Sequence, residues 1–202
     1  GHGRSGGLDS LDSIDAMVGQ LRSLTSTWAM EHPVLVGEGL GAVVAMQAAA
    51  ADPDFPAALV LIGGAAGRFE LDEELAGLAA ITAGKSRREF DRSGYGPETD
   101  RSVYQKAFSV WVKTDPRATL GARRAQADWS LDGAPDVPVL IVVGQHEEPD
   151  SVAAAEALAQ RLPNATVRRL EGAGRRGVLE QPARLAAEIS AFVATSSAVG
   201  AA

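Results

Sequence analysis

The stretch Val34-Leu-Val-Gly-Glu-Gly-Leu-Gly-Ala42 decides the fold of this chain. Its first half is a short apolar run after Pro33, which is typical of a buried strand. Its second half opens a run of small and apolar residues that predicts a helix from about residue 40 to residue 51. The glycines between the two halves predict a sharp turn that leads directly from the strand into the helix.

Helices and strands continue to alternate on both sides of this stretch. Apolar residues recur at helical spacing from Asp9 to Trp28, and Asp9 or Ser10 is expected to cap that helix. Three further strands and two further helices are predicted, at 58–62, 137–144 and 165–170 and at 151–162 and 182–195. This order predicts an α/β fold, with a mostly parallel sheet flanked by helices.

The segment 65–136 interrupts this alternation, because it is more polar and largely helical in pattern. We predict an inserted helical lid here, between a core of residues 1–64 and 137–195 and ahead of a flexible tail at 196–202. Within the lid, Tyr104, Phe108 and Trp111 are spaced as one helix face. Packing inside the lid is the simplest interpretation of that face, and lining a hydrophobic ligand pocket is the alternative.

The composition argues against several classes of function. The chain has 202 residues and a net charge of −7, which disfavours binding to nucleic-acid phosphates. It has no cysteine, and its three histidines lie far apart in sequence, so we predict no metal site and no cofactor. No run reaches the roughly 18 apolar residues of a membrane span. We therefore expect no membrane contact and take the cytoplasm as the default location.

The glycine turn at residues 37–42 fits two patterns. One is the dinucleotide fingerprint G-x-G-x-x-A, which also needs an acidic residue about 20 positions later to hold a ribose. The next strand ends in Gly63-Gly64, and no acidic residue follows it until Glu70. The other pattern is a nucleophile elbow of the form G-x-S-x-G, and the rest of the chain favours it.

Four motifs, in the same order, resemble those of the α/β-hydrolase superfamily. Gly1-His-Gly-Arg-Ser5 resembles the turn after that family's fourth strand. Residues 34–51 resemble the family's fifth strand, its elbow and the helix that follows. Residues 137–144 resemble the strand before the acid loop. Residues 172–174, followed by Leu179-Glu-Gln-Pro182, resemble the turn that carries the catalytic histidine. The resemblance implies an α/β-hydrolase core whose first strands are absent from this chain.

The chain departs from the family at two of the three catalytic positions. Gly39 occupies the nucleophile position and Arg175 the histidine position, while Glu147 occupies the acid position. Glycine has no side chain to attack a carbonyl, and arginine stays protonated and cannot act as a general base. A triad hydrolase is therefore excluded. Arg175 has two alternatives: a bidentate ion pair with Glu147, which we favour, or a positive charge that remains available to a carboxylate or phosphate.

A binding site remains on this scaffold. The N–H of Leu40 lies at a helix N-terminus, Gly39 leaves room for a ligand, and Arg175 offers a positive charge, so these three are the candidate ligand-binding residues. Glu38, His146 and Glu147 are the candidate acid–base groups. For Glu38 and His146 the alternative is an ordinary turn or surface residue.

The absent first strands predict an exposed sheet edge, which proteins usually cover. We expect an N-terminal segment, a partner chain or a second copy of this chain to complete the sheet. The leading hypothesis for function is a degenerate hydrolase-fold protein that binds a small apolar ligand or a partner under its lid. One alternative is an enzyme of elimination, cyclisation or isomerisation that uses Glu38, His146 or Glu147. Another is a subunit that completes a second hydrolase-like chain.

Overall fold

The computed structural model describes residue 2 and residues 11–63 and 71–199. Most of the Gly1–Ser5 turn and the expected caps Asp9 and Ser10 lie outside these residues, as do residues 65–70 of the expected lid. Twelve elements follow in chain order among the described residues: α1 (Ile14–Thr27), β1 (Val34–Glu38), α2 (Leu40–Ala51), β2 (Ala58–Ile62), α3 (Asp72–Thr82), α4 (Arg101–Trp111), α5 (Pro116–Ala127), β3 (Val139–Gly144), α6 (Pro149–Arg161), β4 (Ala165–Leu170), α7 (Gly177–Glu180) and α8 (Pro182–Val199).

The four strands form one parallel sheet in the order β1-β2-β3-β4. Strands β2 and β3 are buried at every position, as expected for central strands covered on both faces. One face packs on α1, α2 and α6, with Met46 and Ile141 in the main core. The other face packs on α8 through Leu185. The predicted α/β class and the flanking helices are confirmed.

Several boundaries differ from the sequence predictions, among them the start of β3, which is Val139 rather than residue 137. Helix α1 begins at Ile14, because Ser13 caps it by accepting a hydrogen bond from the N–H of Ala16 at 3.2 Å. Helix α6 begins two residues early, at Pro149, whose fixed φ suits the first helical position. Helix α8 extends to Val199 rather than ending at residue 195. The short helix α7 was not predicted.

Residues 71–136, between β2 and β3, contain helices α3, α4 and α5. Helix α5 joins the main core through Ala125, and just beyond it Trp129 packs there and donates a hydrogen bond to Gln47 at 2.9 Å. An ion pair between Arg123 and Glu74 links α5 to α3 at 2.9 Å. The inserted segment is therefore helical in its described part, and its action as a lid stays a prediction.

Strand β1 lies at the edge of the sheet, and no described strand pairs with its outer side. Val36 on this strand is 52% exposed, and Leu24 and Trp28 of the neighbouring α1 region are also exposed. No helix of the described residues is long and apolar enough to cross a membrane. The outer edge of β1, which no described strand covers, is a template for pairing with another strand, and the exposed Val36 adds apolar surface there.

We expect the isolated 202-residue chain to associate with itself through this edge at micromolar concentration. Native mass spectrometry should then record a multiple of 20.9 kDa. Val36→Lys should shift the population to the single mass, because a lysine on an edge strand opposes strand pairing. Val112→Lys is the matched control, since Val112 is 54% exposed at the end of α4. A monomeric unmodified chain, or equal dissociation by both variants, would contradict this expectation.

Candidate functional site

The carboxyl ends of β1, β2 and β3 surround a polar cavity of about 240 Å³, here called the polar cavity. Ligands of open α/β sheets bind at this end of the strands. Glu38 ends β1, Gly63 follows β2, and Glu147 lies in the turn after β3. The side chains and backbone that line it are those of Glu38, Gly39, Gly63, Leu71, Glu74, Arg123, Gln126, Glu147, Ser151, Arg175 and Arg176.

The turn at Gly39 has the backbone conformation of a sharp elbow. Its φ of 54° and ψ of −114° are disfavoured for residues with a side chain, so glycine adopts them at low cost. The N–H of Gly39 donates to the carbonyl of Ile62 at 3.0 Å, which ties the elbow to β2. A Cβ added at Gly39 would meet nothing within 4 Å. Position 39 therefore borders the polar cavity with room for a side chain and without one.

Glu38 presents a carboxyl group to the polar cavity. Its Oε1 is buried and has no hydrogen-bond partner among the described residues. Burial raises the pKa of Glu38, although the positive charges of Arg176 and Arg175 act in the opposite direction. The nearby Glu147 raises that pKa as well. The carboxyl is thus shifted toward its neutral form, which can donate as well as accept a hydrogen bond.

Glu147 is the more deeply buried carboxyl group, with 8% of its surface exposed. Its Oε2 accepts a hydrogen bond from the N–H of Gly144 at 3.0 Å, while its buried Oε1 has no described partner. Burial raises the pKa of Glu147 against the opposing effects of the Gly144 hydrogen bond and the charge of Arg175. Two carboxyl groups with raised pKa values therefore border one cavity.

The predicted ion pair between Arg175 and Glu147 is wrong. Both residues line the polar cavity, but no hydrogen bond or ion pair joins their side chains. The N–H of Arg175 donates to the carbonyl of Gly94 at 2.7 Å, and its side chain lies beside Gly94. The backbone contact directs the guanidinium along the 94–96 segment and leaves it exposed.

The turn that carries Arg175 is held by the carboxylate of Glu180. Its Oε1 accepts from the N–H of Gly96 and the hydroxyl of Thr99, each at 2.6 Å. Its Oε2 accepts from the N–H groups of Gly174 and Arg176 at 3.0 and 3.2 Å. Glu180 therefore joins the arginine turn to the segment before α4. The sequence offered no sign of this role beyond the position of Glu180 in a recognised motif.

The remaining predicted residues fall in different places. His146 is exposed and does not line the polar cavity. Leu40 is the first residue of α2, so its N–H has no acceptor within the helix. Among the described residues, no group of three His, Asp or Glu side chains is arranged to hold a metal ion.

The aromatic residues of α4 pack inside the inserted segment and also line cavities, which were the two alternatives left by the sequence. Phe108 and Trp111 pack edge-to-face against Phe90, with ring centroids 5.5 and 5.6 Å away, which is packing within the inserted segment. Trp111 also lines a cavity that contains Glu38, and Tyr104 and Phe108 line another at the surface. The helix face thus serves both packing and cavity lining.

Sequence reasoning missed Arg176 and the α5 side chains Arg123 and Gln126. Arg123 and Gln126 are three residues apart, so helical spacing alone would have placed them on one face. The Arg123 guanidinium donates to Gln126 at 2.6 Å and to Glu74 at 2.9 Å. The local sequence does not show which strand end this face of α5 approaches, because that depends on how the helix packs in the fold.

Comparison with solved structures supports the same fold. A thermophilic esterase from Thermogutta terrifontis, solved with malate bound, has 22% identity and a TM-score of 0.83, with 97% of this chain and 77% of that chain covered. An esterase from Exiguobacterium antarcticum has 18% identity and a TM-score of 0.80, with 96% and 78% covered. A putative non-heme bromoperoxidase, BpoC, from Mycobacterium tuberculosis has 18% identity and a TM-score of 0.76, with 96% and 80% covered.

The search of curated proteins finds no match. The family model described as the alpha/beta hydrolase family matches residues 1–188, which is nearly the whole chain. Together with the parallel sheet and the glycine elbow at its carboxyl end, this match assigns the chain to a family: the protein belongs to the alpha/beta hydrolases.

Proposed function

We propose that this protein binds a small molecule in the polar cavity and does not cleave it through a covalent intermediate. The observation that carries the proposal is Gly39, where the elbow keeps its sharp backbone turn but presents no nucleophile. Arg175 stands at the position of the general base, and an arginine side chain offers hydrogen-bond donors but no acceptor for a proton. A serine-type acyl transfer therefore lacks two of its three groups.

The buried carboxyl oxygens are hydrogen-bonding groups that a ligand in the polar cavity can use. A buried polar atom without a partner costs free energy, and both Glu38 and Glu147 have such an atom at the cavity wall. A ligand that hydrogen-bonds to these atoms would remove that cost. The similar structures carry the names of esterases and of a bromoperoxidase, so the shared fold does not by itself specify an activity.

A second candidate function is acid–base catalysis without a covalent step, as in elimination, cyclisation or isomerisation. It is favoured by the pKa values of Glu38 and Glu147, which burial raises at two carboxyl groups that border one cavity. Such a pair could move a proton on a bound molecule, while the cavity supplies positioning. His146 drops out of this mechanism because it lies outside the cavity. If a turnover assay is found, its loss in Glu38→Gln would favour catalysis over binding alone.

The proposed loss of hydrolysis predicts a gain of activity in Gly39→Ser/Arg175→His. This double variant restores a hydroxyl and an imidazole to the cavity that already contains Glu147. We expect it to cleave 4-nitrophenyl acetate about tenfold faster than its control, about 1.4 kcal/mol of transition-state stabilisation. The unmodified protein should release no burst of nitrophenol.

The matched control is Gly39→Ala/Arg175→His, which carries the same backbone strain at positive φ, about 1–3 kcal/mol, without the hydroxyl. Circular dichroism verifies that both double variants are folded. Turnover with a burst in the unmodified protein would refute the proposed function. Equal rates in the two folded double variants would mean that the remaining cavity cannot support acyl transfer.

A further inference from the structure

A second cavity, of about 390 Å³, lies against the polar cavity and shares Glu38 and Arg176 in its wall. We call it the aromatic cavity. Its apolar lining comes from the segment before α4, from α4 itself and from α7. The main apolar contributors are Phe90, Tyr95, Val110, Trp111, Val178 and Leu179. Glu89, Asp91 and Lys106 also border it, and all three side chains are exposed to solvent.

The arginines around the shared wall of the two cavities differ in their partners. Glu74 and Arg123 neutralise each other through their ion pair at 2.9 Å. The guanidinium groups of Arg175 and Arg176 form no hydrogen bond or ion pair with any described residue. Asp91, which borders the aromatic cavity, has a pKa that is lowered first by a backbone hydrogen bond and also by the charges of both arginines, which lie close to it. The donors of the two guanidinium groups are nevertheless without a hydrogen-bond acceptor among the described residues, so they are available to an anionic group at this wall.

We propose that the ligand is a small carboxylic acid with a compact apolar group. Its carboxylate lies at Arg175 and Arg176, and its apolar group lies in the aromatic cavity. Arginine suits this task, because its planar fork of donors matches a carboxylate. A volume of about 390 Å³ accommodates one aromatic ring or a short branched chain.

This inference rests on the proposed function, because it names the ligand class for the same site. The probe is 3-phenylpropionate, and its neutral counterpart of the same shape is 3-phenylpropionamide. Isothermal titration calorimetry with the full 202-residue chain compares the two. We expect the acid to bind at least about tenfold more tightly than the amide. Acetate has the charge but no apolar group, and it should bind more weakly than 3-phenylpropionate.

Variants at the shared wall assign the effect to Arg176. Arg176→Gln should weaken binding of the acid by about tenfold and leave binding of the amide unchanged. Arg176→Lys keeps the charge without the planar fork, and it should recover part of the affinity for the acid. Arg124→Gln is the matched control, because Arg124 is exposed on α5 and lines neither cavity. Thermal melts of all three variants verify that they are folded.

Equal affinity for the acid and the amide would overturn the inference. No detectable binding of 3-phenylpropionate would overturn it as well, and so would an Arg176→Gln variant with undiminished affinity for the acid. None of these binding results would contradict the proposed absence of covalent hydrolysis. That proposal fails separately, through a nitrophenol burst from the unmodified protein.

Discussion

Replacing Gly37 with alanine is expected to destabilise the protein by about 3 kcal/mol, near the upper end of ordinary overpacking. A Cβ added at Gly37 would lie 2.3 Å from the backbone carbon and oxygen of Gly41. Neither backbone can easily move away, because Gly37 is paired with Leu61 in the sheet and Gly41 lies in the first turn of α2. Thermal unfolding followed by circular dichroism should record a Tm lower by roughly 6–12 °C.

Gly41→Ala provides the control within the same motif. A Cβ added there would meet nothing within 4 Å, and alanine is the better helix former. We expect this variant to be as stable as the unmodified protein, or more stable by up to about 1 kcal/mol. If both variants lost stability equally, the close approach of strand and helix would not explain the glycine at position 37.

Replacing Glu180 with alanine should cost about 3 kcal/mol of unfolding free energy, since hydrogen bonds to a charged group are worth about 1.5–3 kcal/mol each and do not add fully. The substitution leaves the N–H groups of Gly96, Gly174 and Arg176 without their acceptor, together with the hydroxyl of Thr99. Urea unfolding measures the loss. Ligand affinity should fall as well, because these bonds position the arginine turn.

Two variants test whether the loss is specific to this carboxylate. Glu180→Gln keeps one carbonyl acceptor and should lose about half as much stability as the alanine variant. Glu156→Ala removes an exposed glutamate whose oxygen lies 3.7 Å from Arg169, and it should change stability by less than about 0.5 kcal/mol. Similar losses in Glu180→Ala and Glu156→Ala would exclude Glu180 as the residue that holds the turn.

Much of the fold could be predicted from local patterns. The bounds of β2 and β4 match the sequence predictions, because short apolar or β-branched runs between turn residues have one dominant interpretation. Helix α2 matches for the same reason. The start of α1 was misplaced, since Asp9, Ser10 and Ser13 are all good caps and tertiary packing decides among them.

The candidate site was only partly predictable. Glu38, Gly39, Glu147 and Arg175 line one cavity, because a parallel sheet brings its strand ends to one edge, whereas Leu40 and His146 are not in its lining. The roles of all six residues stay predictions. Arg176 was missed although it is adjacent to Arg175, since a turn can direct neighbouring side chains differently and only the fold shows which one reaches a cavity. The sequence did not decide whether the aromatic residues of α4 line a cavity, because the same helical spacing suits packing and cavity lining.

The sequence by itself determined which groups residues 39 and 175 can offer. Glycine has no nucleophilic side chain and arginine is no general base, because of their covalent structure alone, and the absence of covalent hydrolysis that we infer from this remains a proposal. Only the tertiary structure decided which groups face one another. It separated Arg175 from Glu147, buried an oxygen of Glu38, and set Arg176 between two cavities. Hydrogen bonds and ion pairs act over a few ångströms, and they often join residues that are far apart in the chain. A local sequence pattern does not show which of these distant residues come close in space.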